Sequence, residues 1–341
     1  MIQGRWKTKL RIGIVALLGL GLVVYLVDHI GFSTVFSAVI AVGWDGFVIF
    51  CVFALTLFLL LGGAWYVLVV EIPLSRAGIF VWGRIVRDSA SEILPFSQVG
   101  GLVIGVRAII LRGVPPPLAF ASTIVDVTTE MFAQLAYVAL GIALLMTHGL
   151  QTPFIASLAT ISIIGLLVAT AAAGAFLFVQ RRSFWVTGKL ASRWLPKTHL
   201  NTVGLAASIA TIYRTPRRIW LSAILHFIGW VASAAGTWIA FRLIGVRVDF
   251  PSVVAIESLV YAIRSAAFVV PNALGVQEAA YTALAPLVGV GPELGLAVSL
   301  LKRARDIVIG IPILLVWQCM EGKRAFVLEE LDGEAIREWR R

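Results

Sequence analysis

Long runs of apolar residues alternate with short polar segments along the chain. Five runs exceed the ~20 residues that an α-helix needs to cross the ~30 Å hydrocarbon core of a bilayer. They lie at residues 46–70, 118–146, 154–179, 219–241 and 294–318. A shorter run at 12–27 follows basic residues and precedes no small-x-small cleavage motif, so we interpret it as an uncleaved first helix. The pattern predicts six membrane-spanning helices.

Two further apolar segments, 84–112 and 257–290, are interrupted near their middle. The breaks read PFSQVGG from residue 95 and PNALG from residue 271. A continuous helix of about 29 residues would be roughly 43 Å long at 1.5 Å per residue, which is too short for two full crossings. We interpret each segment as a re-entrant helical hairpin, and the alternative is two short tilted spans in each, giving eight or more spans. The predicted fold is an all-α integral membrane protein.

The composition agrees with this pattern and excludes other classes. Hydrophobic residues make up 60% of the 341 residues and charged residues only 13%, whereas soluble domains have about 25% charged residues. A soluble enzyme, a nucleic-acid-binding domain and a disordered chain are therefore excluded, and residues 1–341 are predicted to form a single polytopic membrane domain. Cys51 and Cys319 both lie in apolar stretches, so neither a disulfide nor a metal site is expected.

The net charge of +10 is interpreted as orientation of the chain in the membrane, because basic residues accumulate in cytoplasmic loops. Segment 180–218 carries eight basic residues and no acidic one, and we interpret it as a cytoplasmic linker lying on the membrane surface. Segments 28–45 and 147–153 lack basic residues and are placed outside. Both termini, including the short tail 320–341, are then cytoplasmic, in the inner membrane of a bacterium. Arg242 and Arg247 fall outside and violate this rule.

A shift of 176 residues aligns the two interrupted segments with each other. Nine identities lie between residues 89 and 121, and they include Pro95 with Pro271 and Pro116 with Pro292. The topology places the first hairpin open to the cytoplasm and the second open to the outside. We therefore predict an inverted repeat of residues 1–146 and 154–318, an arrangement typical of transporters, whose binding sites lie at the interrupted helices.

Charged residues also occur inside the apolar segments, where each costs at least ~2.5–3.5 kcal/mol on insertion scales. They are Asp88, Glu92, Arg107, Asp126, Glu130, Glu257, Arg264, Glu278, Lys302, Arg303, Arg305 and Asp306. One hypothesis is a set of structural salt bridges, for example Asp126 to Arg303. The other is a polar groove for a headgroup or a proton relay, with Glu278 as the main candidate. His226 is interpreted as a packing residue.

The two breaks resemble a known family. The second, FVVPNALGVQEAAYTALAPLVGVG, is similar to the Pro-x-Pro-Gly-Gly-x-Gly-x-x-Glu element of the flippase-like family, which includes the membrane domain of lysylphosphatidylglycerol synthases. The first, LPFSQVGGLVIGVRAIILRGV, resembles its partner element. The stretches RDSASEILPFSQVGG and IVDVTTEMFAQLAY resemble the hopanoid-associated membrane protein L subgroup. The chain departs from the family pattern at Asn272-Ala273-Leu274, and no soluble aminoacyl-transfer domain is expected after the short tail.

The resemblance and the buried charges together predict a substrate groove. Its predicted residues are Glu92, Pro95, Ser97, Gly100, Gly101, Arg107, Asp126, Glu130, Arg264, Pro271, Asn272, Gly275, Glu278, Arg303 and Asp306. Of these, the resemblance selects the prolines, the glycines, Arg107, Asp126, Glu278 and Arg303, whereas Ser97 and Asn272 are good N-cap types after each proline. We expect Glu278→Gln and Arg303→Ala to lose function while the protein is still expressed.

The predicted function is that of a membrane lipid translocase without enzymatic activity. The resemblance implies a hopanoid or a modified phospholipid as cargo, and the expected partners are a membrane lipid and a second copy of the chain, without nucleic acid and without a cofactor. One alternative is an intramembrane lipid-modifying enzyme, in which Asp126 and Glu130 would bind Mg²⁺ and diphosphate. Another is a scaffold for enzymes of hopanoid or lipid biosynthesis.

Overall fold

The chain is α-helical, without β-strands, throughout the part described in the computed structural model, which comprises residues 40–94, 97–148, 153–182, 202–267 and 270–339 together with residues 21 and 37. The helices in chain order are α1 Gly43–Tyr66, α2 Gly78–Ile93, α3 Ser97–Ile110, α4 Pro116–His148, α5 Pro153–Arg182, α6 Thr202–Tyr213, α7 Pro216–Leu243, α8 Phe250–Ala266, α9 Val276–Leu284 and α10 Pro292–Trp339. Short 3-10 turns lie at Leu74–Arg76, Pro271–Ala273 and Ala285–Val288. The predicted all-α membrane class is confirmed.

Four of the predicted spans are confirmed as helices that are long and apolar enough to cross a membrane, namely α1, α4, α5 and α7. Apart from residue 21, the predicted span at 12–27 lies outside the described residues, as do residues 183–201 of the predicted surface linker. The sixth predicted span, 294–318, lies within the 48-residue helix α10. That helix is not among the four, because four charged residues lie between positions 302 and 306.

Each interrupted segment folds as a helix, a break and a second helix. Helices α2 and α3 have 16 and 14 residues, and α8 and α9 have 17 and nine. All four are shorter than the ~20 residues of a full span, which favours hairpins over two complete crossings in each segment. The hairpins start earlier than predicted, at Gly78 and Phe250 rather than at 84 and 257. How deeply they enter the membrane stays a prediction.

Glycines bring the two helices of the first hairpin into close contact. A Cβ atom at Gly101 would lie 2.6 Å from the carbonyl oxygen of Arg87, and one at Gly105 would lie 2.7 Å from the Cβ of Arg87. Gly83 is equally close to Ile109 on the opposite helix. Small residues at such spacings let helix backbones approach within a membrane. Gly101, a predicted groove residue, therefore holds α2 against α3.

Helix pairs related by the 176-residue shift run antiparallel and exchange equivalent contacts. Helices α1 to α4 shift onto α7 to α10, and both α4 and α10 begin at a proline. In the α1–α7 pair, Gly236 packs against Phe53 and Gly229 packs against Leu60 and Leu61. Shifting Phe53 by 176 gives residue 229, and shifting residue 60 gives 236. The contact of Phe53 with Gly236 is therefore equivalent to the contact of Leu60 with Gly229. A two-fold rotation that exchanges the antiparallel helices α1 and α7 relates them.

A second pair of contacts obeys the same relation. The amide of Gln134 on α4 donates to the Ser265 hydroxyl on α8 at 2.8 Å. The equivalent positions under the shift are Gly310 and Ser89, where a Cβ atom on Gly310 would lie 3.6 Å from the Cβ of Ser89. These paired contacts relate the helices of the two halves by the same shift, and the inverted repeat of residues 1–146 and 154–318 stays a prediction.

The end of the predicted basic linker is a helix docked on α4. Leu205, Ile209 and Ile212 of α6 are buried against Ala121 and Val125 of α4. Beyond α6, the guanidinium of Arg218 donates to the carbonyl oxygens of Val67 and Val69 at 3.2 and 3.3 Å. This basic segment therefore caps the carboxyl end of α1.

Arg242, which violates the charge rule, stacks on an aromatic ring. Its guanidinium carbon lies 4.8 Å from the centre of the Trp238 ring. Tryptophan is enriched at membrane interfaces, and a cation above an aromatic face is stabilised there. The contact gives this arginine a favourable place at the end of α7.

We expect Gly62→Ala to destabilise the protein by about 1–3 kcal/mol, as is usual for overpacking. A Cβ atom at Gly62 would lie 2.8 Å from the backbone nitrogen of Val81 on α2, which cannot move without shifting the helix. The matched control is Gly63→Ala, because nothing lies within 4 Å of its Cβ position. Thermal melts in detergent should show a lower Tm for Gly62→Ala only. Equal melting temperatures for the two variants would contradict the α1–α2 contact.

Candidate functional site

The charged residues within the helices gather into three clusters. The arginine–carboxylate cluster comprises Arg84, Arg87, Asp88, Asp126, Glu130 and His226. The lysine–glutamate cluster comprises Thr237, Glu257, Tyr281 and Lys302. The tip cluster comprises Glu92, Arg264, Asn272, Gly275, Gln277, Glu278 and Arg303. They differ in exposure and in how completely their polar atoms are satisfied.

In the arginine–carboxylate cluster, two arginines of α2 hold two carboxylates of α4. Arg84 makes a bidentate contact with Glu130, at 3.0 and 2.6 Å. Arg87 donates to Asp126 at 2.8 Å and also to Glu130. Bidentate arginine–carboxylate pairs are the strongest of the charged hydrogen bonds. The spacing of Asp126 and Glu130, four residues apart, places both on the face of α4 that meets α2.

His226 joins this cluster from α7 and is completely buried. Its Nε2 atom lies 2.9 Å from Oδ1 of Asp126. The interpretation of His226 as a packing residue is therefore wrong, because it has a specific polar partner that the sequence spacing of 100 residues did not reveal. The suggested pair of Asp126 with Arg303 is also wrong, since Asp126 contacts Arg87 and His226 whereas Arg303 contacts Glu278.

The side chains of Asp126, Glu130 and His226 are close enough to hold a metal ion, with ligand atoms within 4.8 Å of one another. The carboxylate oxygens of Asp126 and Glu130, however, already accept hydrogen bonds from Arg84 and Arg87. Two guanidinium groups thus supply the positive charge that a divalent ion would bring. This arrangement disfavours the Mg²⁺ site of the enzymatic alternative.

The lysine–glutamate cluster is fully buried in the second repeat. Lys302 of α10 donates to Glu257 of α8, to the Tyr281 hydroxyl of α9 at 2.6 Å and to the Thr237 hydroxyl of α7 at 3.1 Å. Tyr281 in turn donates to the second oxygen of Glu257. Four helices therefore contribute to one closed network in which lysine and glutamate are both neutralised.

The tip cluster lies where the last turns of α2 and α8 meet at the second break. Arg264 of α8 donates to Glu92 of α2 at 2.7 Å and to Gln277 of α9 at 2.7 Å. The side-chain amide of Asn272 donates to the carbonyl oxygen of Glu92. These contacts join the end of the first hairpin's first helix to the break of the second hairpin, so the cluster lies between the two hairpins.

Glu278 orders the break itself. Its Oε2 atom accepts from the backbone N–H of Gly275 at 2.8 Å, closing the amino end of α9. Its Oε1 atom accepts from Nε of Arg303 at 2.8 Å, and Arg303 also donates to the carbonyl oxygen of Ala273 at 3.2 Å. Gly275 has φ +79°, in the left-handed region that favours glycine. Glu278 is thus a positioning residue that is buried together with its cation.

Three polar atoms of the tip cluster are buried without a hydrogen-bonding partner: Oε2 of Glu92, Oδ1 of Asn272 and Nη1 of Arg303. The first and last of these lie 4.0 Å apart, which is too far for a direct hydrogen bond. Asn272 and Ala273 have φ values of +52° and +45°, rare for residues with side chains. Strained backbone and unsatisfied polar atoms therefore coincide at this break, as they do at functional sites.

The structure separates the predicted groove residues into several groups. The tip cluster unites six of them: Glu92, Arg264, Asn272, Gly275, Glu278 and Arg303. Asp126 and Glu130 belong to the arginine–carboxylate cluster. Arg107 is half-exposed and pairs with Glu321 at 2.7 Å, and Asp306 pairs with its neighbour Arg305. Gly100 is half-buried on α3, Pro95 lies outside the described residues, and the side chains of Ser97 and Pro271 are not described.

Sequence reasoning missed Arg84, Arg87, Gln277 and Tyr281. The first two carry a usable signal, because Arg84, Arg87 and Asp88 share one helix face and Asp88 follows Arg84 by four residues. Gln277 and Tyr281 carry no such signal, since the sequence around an uncharged polar residue in an apolar helix does not indicate its hydrogen-bonding partner. Their roles depend on Arg264 and Glu257, which are brought to them by the packing of α8 against α9.

The family described as Lysylphosphatidylglycerol synthase TM region matches residues 10–313. The match covers all three clusters and both breaks. No curated protein and no solved structure shows significant similarity to the chain.

Proposed function

The chain belongs to the Lysylphosphatidylglycerol synthase TM region family, and on that premise we propose that it is a translocase for a polar-headed membrane lipid. The headgroup passes the tip cluster between the two repeats, while the acyl tails remain in the bilayer. The observation that carries this proposal is the set of three unpartnered buried polar atoms on Glu92, Asn272 and Arg303. The family name relates to lipid chemistry at a membrane, which fits this cargo.

The physical problem for such a lipid is the loss of water around its headgroup. A hydroxyl or amide that enters an apolar phase without a partner loses roughly 2–7 kcal/mol. Unpartnered polar atoms between two oppositely directed repeats can form hydrogen bonds with the headgroup. They reduce the loss of free energy inside the membrane, where it is greatest. Inverted repeats with interrupted helices bind their substrates in this way.

The same proposal places the protein in the cytoplasmic membrane of a bacterium with both termini inside. Arg76, Arg214, Arg217 and Arg218 lie near the carboxyl end of α1 or the amino end of α7, where basic residues are expected on the cytoplasmic side. We propose no chemical reaction for the chain. An enzymatic role would need reactive groups besides the carboxylates that Arg84 and Arg87 engage.

Reconstitution into liposomes tests this proposal. Lipids labelled on the acyl chain with nitrobenzoxadiazole, bearing neutral, anionic or zwitterionic headgroups, are exposed to dithionite, which quenches only the outer leaflet. The protein should make the inner-leaflet pool of at least one probe accessible. Glu92→Gln removes the acceptor charge at the tip cluster and should slow this by about tenfold, the effect of 1.4 kcal/mol.

The matched control is Glu71→Gln, because Glu71 is exposed between α1 and the following 3-10 turn. It should transport like the wild type. If no probe moves faster in protein-containing liposomes than in empty ones, the translocase proposal is wrong. A wild-type rate of lipid transport in Glu92→Gln would show that transport does not depend on the tip cluster.

A further inference from the structure

The unpartnered atoms of the tip cluster define what a ligand must offer. Oε2 of Glu92 and Oδ1 of Asn272 are acceptors, and Nη1 of Arg303 is a donor. The other oxygen of Glu92 is used by Arg264, and the amide nitrogen of Asn272 is used by the carbonyl oxygen of Glu92. A fitting ligand therefore donates two hydrogen bonds and accepts one.

Burial makes these demands energetically significant. Arg303 is only 9% exposed, and a buried polar atom left without a hydrogen-bonding partner destabilises the structure. The gap of 4.0 Å between Nη1 of Arg303 and Oε2 of Glu92 admits one bridging group that both donates and accepts. The side chain of Glu92 keeps 24% of its surface exposed, whereas its Oε2 atom is itself buried.

The charge of the cluster restricts the ligand further. Glu92 and Glu278 balance Arg264 and Arg303 in two ion pairs. A phosphodiester would add an uncompensated negative charge and has no hydrogen to donate to Glu92. An ammonium group would add a positive charge and offers no acceptor to Arg303. Hydroxyl groups donate and accept without charge, and two or more on one headgroup satisfy all three atoms.

We propose that the tip cluster is a binding site for a neutral polyhydroxyl lipid headgroup, such as that of a glycolipid or a polyol lipid. This inference rests on the proposed translocase function, because it names the cargo of the same site. Glu92 and Asn272 accept from hydroxyls of the headgroup, and Arg303 donates to a hydroxyl oxygen. Glu278 holds the break through Gly275 and Arg303, and the amide of Asn272 holds it against the backbone of Glu92.

The test measures binding and transport with the same three probes. They are monoglucosyldiacylglycerol, phosphatidylethanolamine and phosphatidylmethanol, each with the same labelled acyl chain. Binding is measured by native mass spectrometry in an amine-oxide detergent, because sugar detergents carry the proposed headgroup. The glucosyl lipid should be retained at about tenfold lower concentration than the other two, a difference of one good hydrogen bond. It should also be translocated fastest.

Asn272→Gly provides the specific variant. Glycine adopts the left-handed backbone of residue 272 without strain, so the break is kept and only the side-chain amide is lost. We expect this variant to lose the preference for the glucosyl lipid. Leu274→Ala, at the neighbouring half-buried position of the break, is the control and should keep it.

The outcomes separate this inference from the proposed function. Faster transport of phosphatidylethanolamine or phosphatidylmethanol overturns the polyhydroxyl assignment but leaves the translocase intact. Selective retention of the glucosyl lipid without transport of any probe upholds the site and overturns the translocase. Equal retention of all three probes, or ordered water alone in the gap of a lipid-soaked experimental structure, overturns the site.

Discussion

Lys302→Met is expected to destabilise the protein by about 3–5 kcal/mol, the usual effect of breaking a buried ion pair. Glu257 is completely buried and its carboxylate accepts from Lys302 and from Tyr281. Removing the ammonium leaves a carboxylate without a counter-charge among four packed helices. The Tyr281 hydroxyl and the Thr237 hydroxyl lose a donor at the same time. The Tm in detergent and the yield of monodisperse protein measure the loss.

The double variant Lys302→Met with Glu257→Gln distinguishes charge from packing. It removes both charges and keeps an amide oxygen for the Tyr281 hydroxyl, so most of the lost stability should return. Arg217→Met, an exposed residue at the start of α7, is the control for losing one positive charge. A single Lys302→Met variant that melts like the wild type would show that Glu257 is not held as a buried anion.

Glu278→Gln is expected to destabilise the second break by about 3–5 kcal/mol, again as a broken buried pair. The remaining amide oxygen can still accept from the backbone of Gly275, but Arg303 loses its counter-charge. Its guanidinium would then keep the carbonyl oxygen of Ala273 and the more distant Glu92 carboxylate, 4.0 Å from Nη1. Stability of the purified protein and lipid retention should fall together.

Arg303→Gln combined with Glu278→Gln supplies the comparison. Two neutral amides can hydrogen-bond across the same gap without charge, so stability should recover while lipid retention should not. Recovery of both would mean that Arg303 does not contact the cargo. Loss of function in Glu278→Gln at full stability would restore Glu278 as a residue that meets the lipid directly.

The expected instability of Glu278→Gln revises an expectation drawn from the sequence. A glutamate that follows a helix break in a family motif favours direct contact with the cargo. On the sequence alone, variants of Glu278 and Arg303 are therefore expected to be expressed normally. In the structure both oxygens of Glu278 are engaged by Gly275 and Arg303. Since the pair is buried, expression is now expected to fall in either single variant. The residues that offer free atoms are instead Glu92 and Asn272, together with Arg303.

Much of the fold could be predicted because membrane helices are specified locally. Four apolar runs became α1, α4, α5 and α7 near their predicted bounds, since in a bilayer the backbone must satisfy its own hydrogen bonds within each segment. The breaks could be predicted because proline and glycine lie close together there, whereas the isolated Pro312 lies inside α10. Less predictable were the starts of α2 and α8, because a short apolar stretch such as 78–83 or 250–256 does not by itself distinguish a helix from a loop.

The candidate site was only partly predictable. Six predicted residues meet in the tip cluster, because motif and charge marked both breaks. Arg107 lies elsewhere, against Glu321, although it is just as polar and just as near a break. Arg107 lies on the exposed side of helix α3. The hydropathy pattern along the sequence does not show which side of a helix faces its neighbours.

By itself the sequence determined a helical membrane protein with two interrupted segments, a shift of 176 residues that relates its halves, and an excess of charge inside its helices. Only the tertiary structure decided which charges neutralise each other. Arg87 reaches Asp126, Lys302 reaches Glu257, and Arg264 joins the repeats through Glu92. The physical reason is that periodicity and hydropathy act over one helical turn, whereas a buried charge is stabilised by whichever distant helix packs beside it.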